Sequence, residues 1–156
     1  VILNKEFTEM GYMTELLLYA SARAQLVKEN IKPALEAGQA VIADRFVDSS
    51  AVYQGIGRGL GVDIVYKVNE FALQGIMPDM TFLMDLNAQE GIARKKNQAE
   101  LDRMENEKIE FHQKVVDGYR MLADMHPERI VKIDATLPIN EIHGIITEYV
   151  EKKLNL

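Results

Sequence analysis

The chain has 156 residues, 47% of them hydrophobic and 27% charged, which fits one globular domain with a well-filled core and excludes global disorder. It contains no cysteine, which excludes disulfides, thiolate zinc sites, iron–sulfur clusters and a cysteine nucleophile, and fits a reducing cytoplasm. With 18 Lys and Arg against 24 Asp and Glu, the net charge of -6 argues against a nucleic-acid polymer or an anionic membrane as the main partner.

The first predicted element is a long helix. Apolar residues recur at three- and four-residue intervals over 16–27, and a second short run covers 34–38. Pro33 is expected near a bend or in a new first turn, and Gly38 is typical of a helix end.

A buried strand is predicted next. The compact apolar run at 40–43 is too short for a helix and ends in charge at Asp44 and Arg45. Residues 55–61 hold four of the ten glycines and predict a loop, and helical spacing returns over 62–75.

The second half of the chain alternates strands and helices. Strands are predicted at 81–86 and 129–134, with helices at 88–97, at 105–125 and from Pro138 onward. This alternation predicts an α/β fold in three layers, a parallel sheet flanked by helices. The absence of repeats and linkers indicates a single domain over 1–156, although three strands are few for such a sheet.

The end of the first predicted strand is a candidate site. In open parallel sheets, ligands bind outside the carboxyl ends of the strands, which is where Asp44 and Arg45 are expected. A carboxylate there attracts a metal ion, and a guanidinium grips phosphate oxygens in pairs. The alternative is a structural ion pair at the strand end.

The glycine-rich segment 55–61 does not carry a nucleotide-binding motif. Leu60 stands where G-x-G-x-x-G needs its last glycine, and the printed chain has no G-x-x-x-x-G-K-[ST]. A flexible turn over a binding cleft is the better interpretation.

Five residues combine into a possible base-binding group. Tyr19 and Arg23 lie four apart on one helix face, where a ring can stack on a base and a guanidinium can donate to its carbonyl. Gln54, near Ser50 and Tyr53, carries both a donor and an acceptor and suits an imide edge. Packing and surface charge are the alternative explanation for these residues.

A basic segment follows the second strand. Arg94, Lys95 and Lys96 open a polar stretch, 94–108, without apolar periodicity. Such a segment could close over a polyphosphate and shield it from water, whereas a solvated helix face is the simpler alternative.

The order of these motifs along the chain resembles that in the thymidylate kinase family, whose members are P-loop enzymes that phosphorylate dTMP. The resemblance runs from about Glu15 to the end, and its Asp-Arg and Tyr-Gln-Gly segments are together highly specific. The matching stretches are LLYASARAQ at 17–25, IKPAL at 31–35, DRF at 44–46, DSS at 48–50, YQG at 53–55, GRGL at 57–60, MPD at 77–79, LDR at 101–103, FH at 111–112 and IDA at 133–135.

The resemblance implies roles for the base-binding group. Tyr19 stands where the family usually has a Phe that stacks on thymine, and Arg23 matches the arginine that bonds the base carbonyl. Gln54 with Ser50 would read the remaining base edge. Tyr53 resembles the tyrosine packed under the sugar, which disfavours a 2′-hydroxyl.

It also implies the phosphate-binding residues. Arg45 would bind the dTMP phosphate and hold its acceptor oxygen in line, and Asp44 would help to position the Mg²⁺ that bridges the ATP phosphates. The stretch 94–108 resembles the lid, with Arg94 and Arg103 expected in catalysis and Arg94 and Lys96 at the ATP phosphates. Some lids of the family have an arginine at every second residue, whereas this chain has Lys96 in its lid. The ammonium group of a lysine is a compact charge and cannot bind two oxygens side by side as a guanidinium does.

The leading hypothesis is a cytoplasmic dTMP kinase for dTTP synthesis, which converts ATP and dTMP into ADP and dTDP. The resemblance implies a homodimer to which the helix at 16–27 contributes, and it implies that a first central strand and a P-loop precede Val1. A chain without them is expected to be inactive alone. The alternative is a non-catalytic fragment that binds dTMP or a partner chain. A receiver-like domain is disfavoured, because it would explain Asp44 but neither Arg23 nor Gln54.

Overall fold

The computed structural model describes residues 2–96 and 102–155, without the side chains of Lys95 and Lys96. Its helices are α1 (Tyr12–Leu26), α2 (Lys32–Glu36), α3 (Val47–Ser50), α4 (Val62–Leu73), α5 (Ala88–Lys96), α6 (Ile109–Met125) and α7 (Ile139–Leu154), with two π-helical segments, π1 (Val27–Ile31) and π2 (Ala51–Gly57), and two strands, β1 (Thr81–Asp85) and β2 (Ile130–Asp134). No helix in these ranges is long and apolar enough to cross a membrane.

The two strands form a parallel sheet covered on both faces. β1 pairs with β2 in the register that places Thr81 opposite Ile130. The Phe82 ring meets Tyr149 of α7 at a centroid distance of 6.2 Å, while Leu83 packs on the core cluster that contains residues of α6. Because neighbouring side chains of a strand point to opposite faces, α6 and α7 cover opposite sides of the sheet. The α/β class with a parallel sheet is therefore confirmed.

The predicted strand at 40–43 is wrong. This segment is irregular, and the Ile42 side chain is 98% exposed. Within the described ranges the sheet consists of β1 and β2, and the backbone of 40–43 is paired with neither. β-Branched composition does not create a strand where the partner for its backbone N–H and C=O groups is not present.

The long N-terminal helix is confirmed, with a change of pitch inside it. α1 passes through π1 directly into α2, and Pro33 lies in the first turn of α2. A proline interrupts the backbone hydrogen bonding of a helix, and a wider π turn before it accommodates that interruption. Gly38 adopts a φ of 73° just after the helix ends, as expected of a helix stop.

The predicted glycine-rich loop is helical in its first part. Residues up to Gly57 belong to π2, which packs against α6. A Cβ at Gly57 would lie 2.8 Å from the Phe111 ring, and one at Gly118 would lie 2.9 Å from Ile56. Glycine at these two positions allows the close approach of π2 and α6.

The helix predicted from residue 105 begins only at Ile109. Before it, Asp102 Oδ1 accepts the backbone N–H groups of Met104 (2.8 Å) and Glu105 (2.9 Å), and Glu105 Oε2 accepts the N–H of Asp102 at 2.9 Å. These local bonds hold the segment in turns in place of an earlier helix start.

The main core lies between α1, π2, α4 and α6. Its fully buried members include Leu16, Val52, Val65 and Leu122. The residues predicted to bind dTMP come from α1, the 44–50 region and π2, so they are anchored on this core.

Candidate functional site

Arg23 and Ser50 are direct neighbours, as their shared predicted site requires. Arg23 Nη2 donates to Ser50 Oγ at 2.8 Å and to the Phe46 carbonyl at 3.2 Å, and Nη1 donates to Asn69 Oδ1. The guanidinium carbon lies 5.4 Å from the centroid of the Phe46 ring. These contacts hold the Arg23 side chain, which is only 8% exposed, in one orientation between α1, α3 and α4.

Arg23 is a buried cation. Burial lowers the pKa of its guanidinium to about 10, and the charge of Asp48 partly opposes this effect. The group is therefore still charged at neutral pH. A guanidinium has five N–H donors, so bonds to three acceptors leave donors for a carbonyl oxygen of a ligand.

Arg45 has an unusual backbone and an exposed side chain. Its φ is 66°, in the left-handed region that a residue with a Cβ adopts at a cost of order 1 kcal/mol or more. Its guanidinium carbon lies 5.3 Å from the centroid of the Tyr53 ring. Tyr53 is in turn held edge-on by Phe111 at 6.1 Å and by Tyr119 at 6.2 Å. Arg45 is thus an exposed residue whose guanidinium lies against an aromatic platform.

A second cluster, which we call the Glu15 cluster (Glu15, Gln54, Arg58 and Arg103), lies one helical turn from Tyr19. Glu15 is fully buried and accepts hydrogen bonds from Gln54 Nε2 at 2.8 Å, from Arg58 Nη2 at 3.3 Å and from Arg103. Burial alone would raise the pKa of Glu15, but the bonds from Gln54 and Arg103 and the charge of Arg58 outweigh it, so the pKa is lowered. Glu15 is therefore a buried, ionised carboxylate.

Sequence analysis missed Glu15 and Arg58. Arg58 also donates to Glu107 at 2.6 Å, and its guanidinium lies 4.7 Å from the Phe111 ring centroid. One signal was available, because Glu15, Tyr19 and Arg23 recur every four residues and so lie on one face of α1. A carboxylate within such a stripe, beside apolar residues, indicates a partner elsewhere in the chain.

The structure gives Gln54 a partner that was not foreseen. Its side chain is 2% exposed, and its amide nitrogen is bonded to Glu15. Tyr19 is half-buried, and its pKa is raised first by burial and then by the carboxylates of Glu15 and Asp102. Of the residues predicted to meet the base, Gln54 thus belongs to the Glu15 cluster and Tyr19 lies next to it.

The two arginines predicted for the lid have different partners. Arg103 donates to the Ile2 carbonyl at 2.8 Å and to Glu15, so it belongs to the Glu15 cluster. The Arg94 side chain is 47% exposed and donates to the Ala135 carbonyl at 2.9 Å and to Glu90 at 2.7 Å. Arg94 therefore lies at the carboxyl end of β2. The Lys96 side chain, and residues 97–101 of the predicted lid, lie outside the described residues.

Asp44 offers one exposed carboxylate. Among the described residues, no group of three or more His, Asp or Glu side chains could hold a metal ion. Mg²⁺ is commonly held by one or two carboxylates together with substrate phosphates, so a single Asp fits this kind of binding. Asp44 and Arg45 also line an open groove of about 780 Å³ beside π1 and α2.

Comparisons with known proteins point to one family. A family model described as thymidylate kinase matches residues 2–146. The chain is 51% identical to a thymidylate kinase of Geobacillus thermodenitrificans (strain NG80-2) over 91% of this chain and 64% of the relative. Its identity is 44% to one of Clostridium novyi (strain NT), over 91% and 70% of the two chains, and 44% to one of Lactobacillus helveticus (strain DPC 4571), over 99% and 74%. The chain thus spans 64% to 74% of these three relatives.

Proposed function

The chain belongs to the thymidylate kinase family, and we propose that the whole protein transfers the γ-phosphoryl group of ATP to dTMP, giving ADP and dTDP. The observation that carries this proposal is the placement of Arg45. Arg45 combines a left-handed backbone, an exposed position and a guanidinium that lies over the Tyr53 ring. Strain of this kind is typical of residues held for a function.

The base of dTMP would lie between α1 and π2. Tyr19 supplies a half-buried ring for stacking, and Arg23 supplies spare N–H donors for a base carbonyl. Ser50 is within 2.8 Å of Arg23, so the two can bind one ligand edge together. Gln54 contributes the remaining polar contact, and Tyr53 packs under the sugar.

The phosphate of dTMP would be held by Arg45. A guanidinium can bind two phosphate oxygens at once, which orients the third toward the incoming phosphoryl group. Asp44 is the residue that we propose to hold magnesium, which when bound supplies positive charge to the ATP phosphates. Positioning and fixed positive charge account for most catalysis in phosphoryl transfer.

Of the two lid arginines, Arg94 is the better candidate for contact with the transferred group. Its side chain is about half exposed, whereas Arg103 is held by Glu15 and the Ile2 carbonyl. We therefore assign Arg94 to the ATP phosphates, and we assign Lys96 to them from the family resemblance alone. Arg103 would act chiefly by fixing the end of the lid segment, 94–108, against α1.

A homodimer is proposed from the apolar surface of α1 and α4. Met13 and Leu17 lie one turn apart on α1 and are 41% and 52% exposed. Ile64 and Phe71 are seven residues apart on α4 and are 44% and 86% exposed. The two helices pack on each other, and a second copy of this chain would cover their exposed residues. A cytoplasmic location stays a prediction.

The proposed activity is tested by incubating the full-length protein with ATP, Mg²⁺ and dTMP and separating the nucleotides by chromatography. We expect dTDP and ADP to appear in equal amounts. Loss of ATP without dTDP, or no turnover by folded protein, would contradict the proposal.

A further inference from the structure

Glu15 is a buried charge that the proposed reaction does not use directly. It is 0% exposed, and it lies one turn of α1 before Tyr19. Two arginines and one amide converge on it, from π2, from the turn after π2 and from the segment before α6. An ionised carboxylate is costly to bury, so this set of partners calls for an explanation beyond packing.

The contact with Gln54 fixes the orientation of an amide. An ionised carboxylate can only accept hydrogen bonds, and the Arg58 and Arg103 cations, together with the Gln54 bond, hold the pKa of Glu15 below its usual range. The end of the Gln54 side chain that faces Glu15 at 2.8 Å must therefore be the NH₂ group. The carbonyl oxygen, Oε1, is then the end left to meet a ligand, and it can only accept.

We propose that Glu15 is a positioning residue that sets base specificity by holding Gln54 with its carbonyl oxygen toward the base. An acceptor at this place pairs with the N3–H of an imide pyrimidine and opposes the N3 lone pair of cytosine. This inference rests on the proposed function, because it takes the base to lie beside Gln54. It applies to thymine and uracil alike, since both carry N3–H, so discrimination between them must come from elsewhere.

The test replaces Glu15 in the full-length protein. In Glu15→Gln the new side chain can donate as well as accept, so Gln54 can turn over and present its NH₂ group to the base. The measurements are kcat/KM for dTMP and for dCMP, and the dissociation constants of both nucleotides by competition. We expect the preference for dTMP over dCMP to fall at least about tenfold, both in the ratio of the two kcat/KM values and in the ratio of the two dissociation constants.

Glu107→Gln is the matched control. Glu107 is the other carboxylate that Arg58 contacts, at 2.6 Å, but Gln54 bonds to Glu15 and not to it. The dTMP preference should stay within about twofold of wild type in this variant, because the Gln54 amide keeps its acceptor. A loss as large as in Glu15→Gln would mean that the effect passes through Arg58, and would overturn the inference.

Glu15→Asp tests the same idea with the buried charge retained, in case Glu15→Gln fails to fold. Loss of one methylene draws the carboxylate back from Gln54 by about 1.3 Å, which breaks the hydrogen bond while leaving a negative charge for the arginines. We expect the dTMP preference to fall by at least about threefold. An unchanged preference in a folded Glu15 variant would overturn the proposal.

The binding ratios separate this inference from the proposed function. Wild-type protein that prefers dTMP in binding but makes no dTDP would refute the kinase activity and leave the role of Glu15 standing if its variants lose the preference. Wild-type protein that binds dTMP and dCMP equally would overturn the role of Glu15, whatever its turnover.

Discussion

Glu15 and Asp48 are both deeply buried carboxylates with arginine partners, yet they lie in very different surroundings. Asp48 receives two bonds from Arg129, at 2.6 and 2.9 Å, and one from Thr81 Oγ1 at 2.9 Å. Thr81 begins β1 and Arg129 directly precedes β2, so these partners lie at the amino ends of the strands. The partners of Glu15 instead include Gln54 and Arg103, which lies in the proposed lid segment.

The difference shows that a buried ion pair does not by itself indicate a functional site. Ligands of parallel α/β sheets bind at the carboxyl ends of the strands, so Asp48 is placed to fasten α3 to the sheet. Glu15 instead lies beside Gln54, which we propose to meet the base of the nucleotide. The two carboxylates should therefore respond differently to substitution, one in folding and the other in specificity.

The largest effect is expected for Asp48→Ala. Removing one member of a buried, bidentate pair leaves the Arg129 charge without its partner, which costs about 3–5 kcal/mol. Urea denaturation should show this loss in the free energy of unfolding. A loss below about 1 kcal/mol would place Asp48 among the weak surface pairs and break the contrast with Glu15.

A somewhat smaller effect, on activity alone, is expected for Arg45→Ala. Loss of the phosphate contact should lower kcat/KM for dTMP by at least about a hundredfold, or about 2.7 kcal/mol. The urea midpoint should hardly change, because the side chain is exposed. Arg45→Lys keeps the positive charge but loses the guanidinium that can bind two oxygens side by side. Its kcat/KM should therefore lie between the values of wild type and Arg45→Ala. Values of kcat/KM within about threefold of wild type for Arg45→Ala would refute the assignment.

The Glu15 cluster and the contacts around Asp48 should also differ in the pH range over which their contribution to the free energy of unfolding is lost. The pKa of Glu15 is lowered from 4.5, so its stabilising contribution is complete above pH 4.5 and is lost as the pH falls through the folded-state value. Tyr66, which donates to Asp48 at 3.4 Å, has its pKa raised to about 12 by burial first and then by the Asp48 charge. Its contribution is complete below pH 10, the ordinary value, and is lost as the pH rises through about 12.

Denaturation curves across pH test this contrast. Glu15→Gln should flatten the acid side of the stability profile, and Tyr66→Phe should flatten the alkaline side. If either variant altered the opposite side instead, the clusters would not be electrostatically separate.

The smallest effect is expected for an exposed pair. Asp124 accepts from Lys132 at 2.6 Å, but their side chains are 66% and 45% exposed. Asp124→Ala should change the free energy of unfolding by about 0–1 kcal/mol, since water screens such pairs. It serves as the surface reference for Asp48→Ala in the same urea experiment, and a loss equal to that of Asp48→Ala would remove burial as the explanation.

Local pattern predicted the helices well, because the spacing of apolar residues over α1, α4 and α6 records which face is buried. Pro33 and Gly38 were also placed correctly, since each acts through its own backbone. The strand prediction at 40–43 failed because strand formation depends on residues that are distant in the sequence. A strand needs a partner, and no local feature of those residues reports whether one is adjacent.

The contacts within the candidate site were predictable only where they are local in sequence. Tyr19 with Arg23, and Ser50 with Tyr53, could be grouped by local spacing and by family resemblance. The bond between Glu15 and Gln54 joins residues 39 positions apart, and Arg103 reaches Glu15 across 88 positions. Such pairings arise from how α1 packs on π2, which no periodicity encodes.

The most direct test of the account is a crystal structure of the full-length protein with dTMP. We expect the phosphate oxygens about 3 Å from the Arg45 guanidinium, the thymine ring stacked on Tyr19 and the N3 atom facing Gln54 Oε1. Binding of dTMP away from Arg45, or with Gln54 turned so that its NH₂ group faces N3, would contradict it.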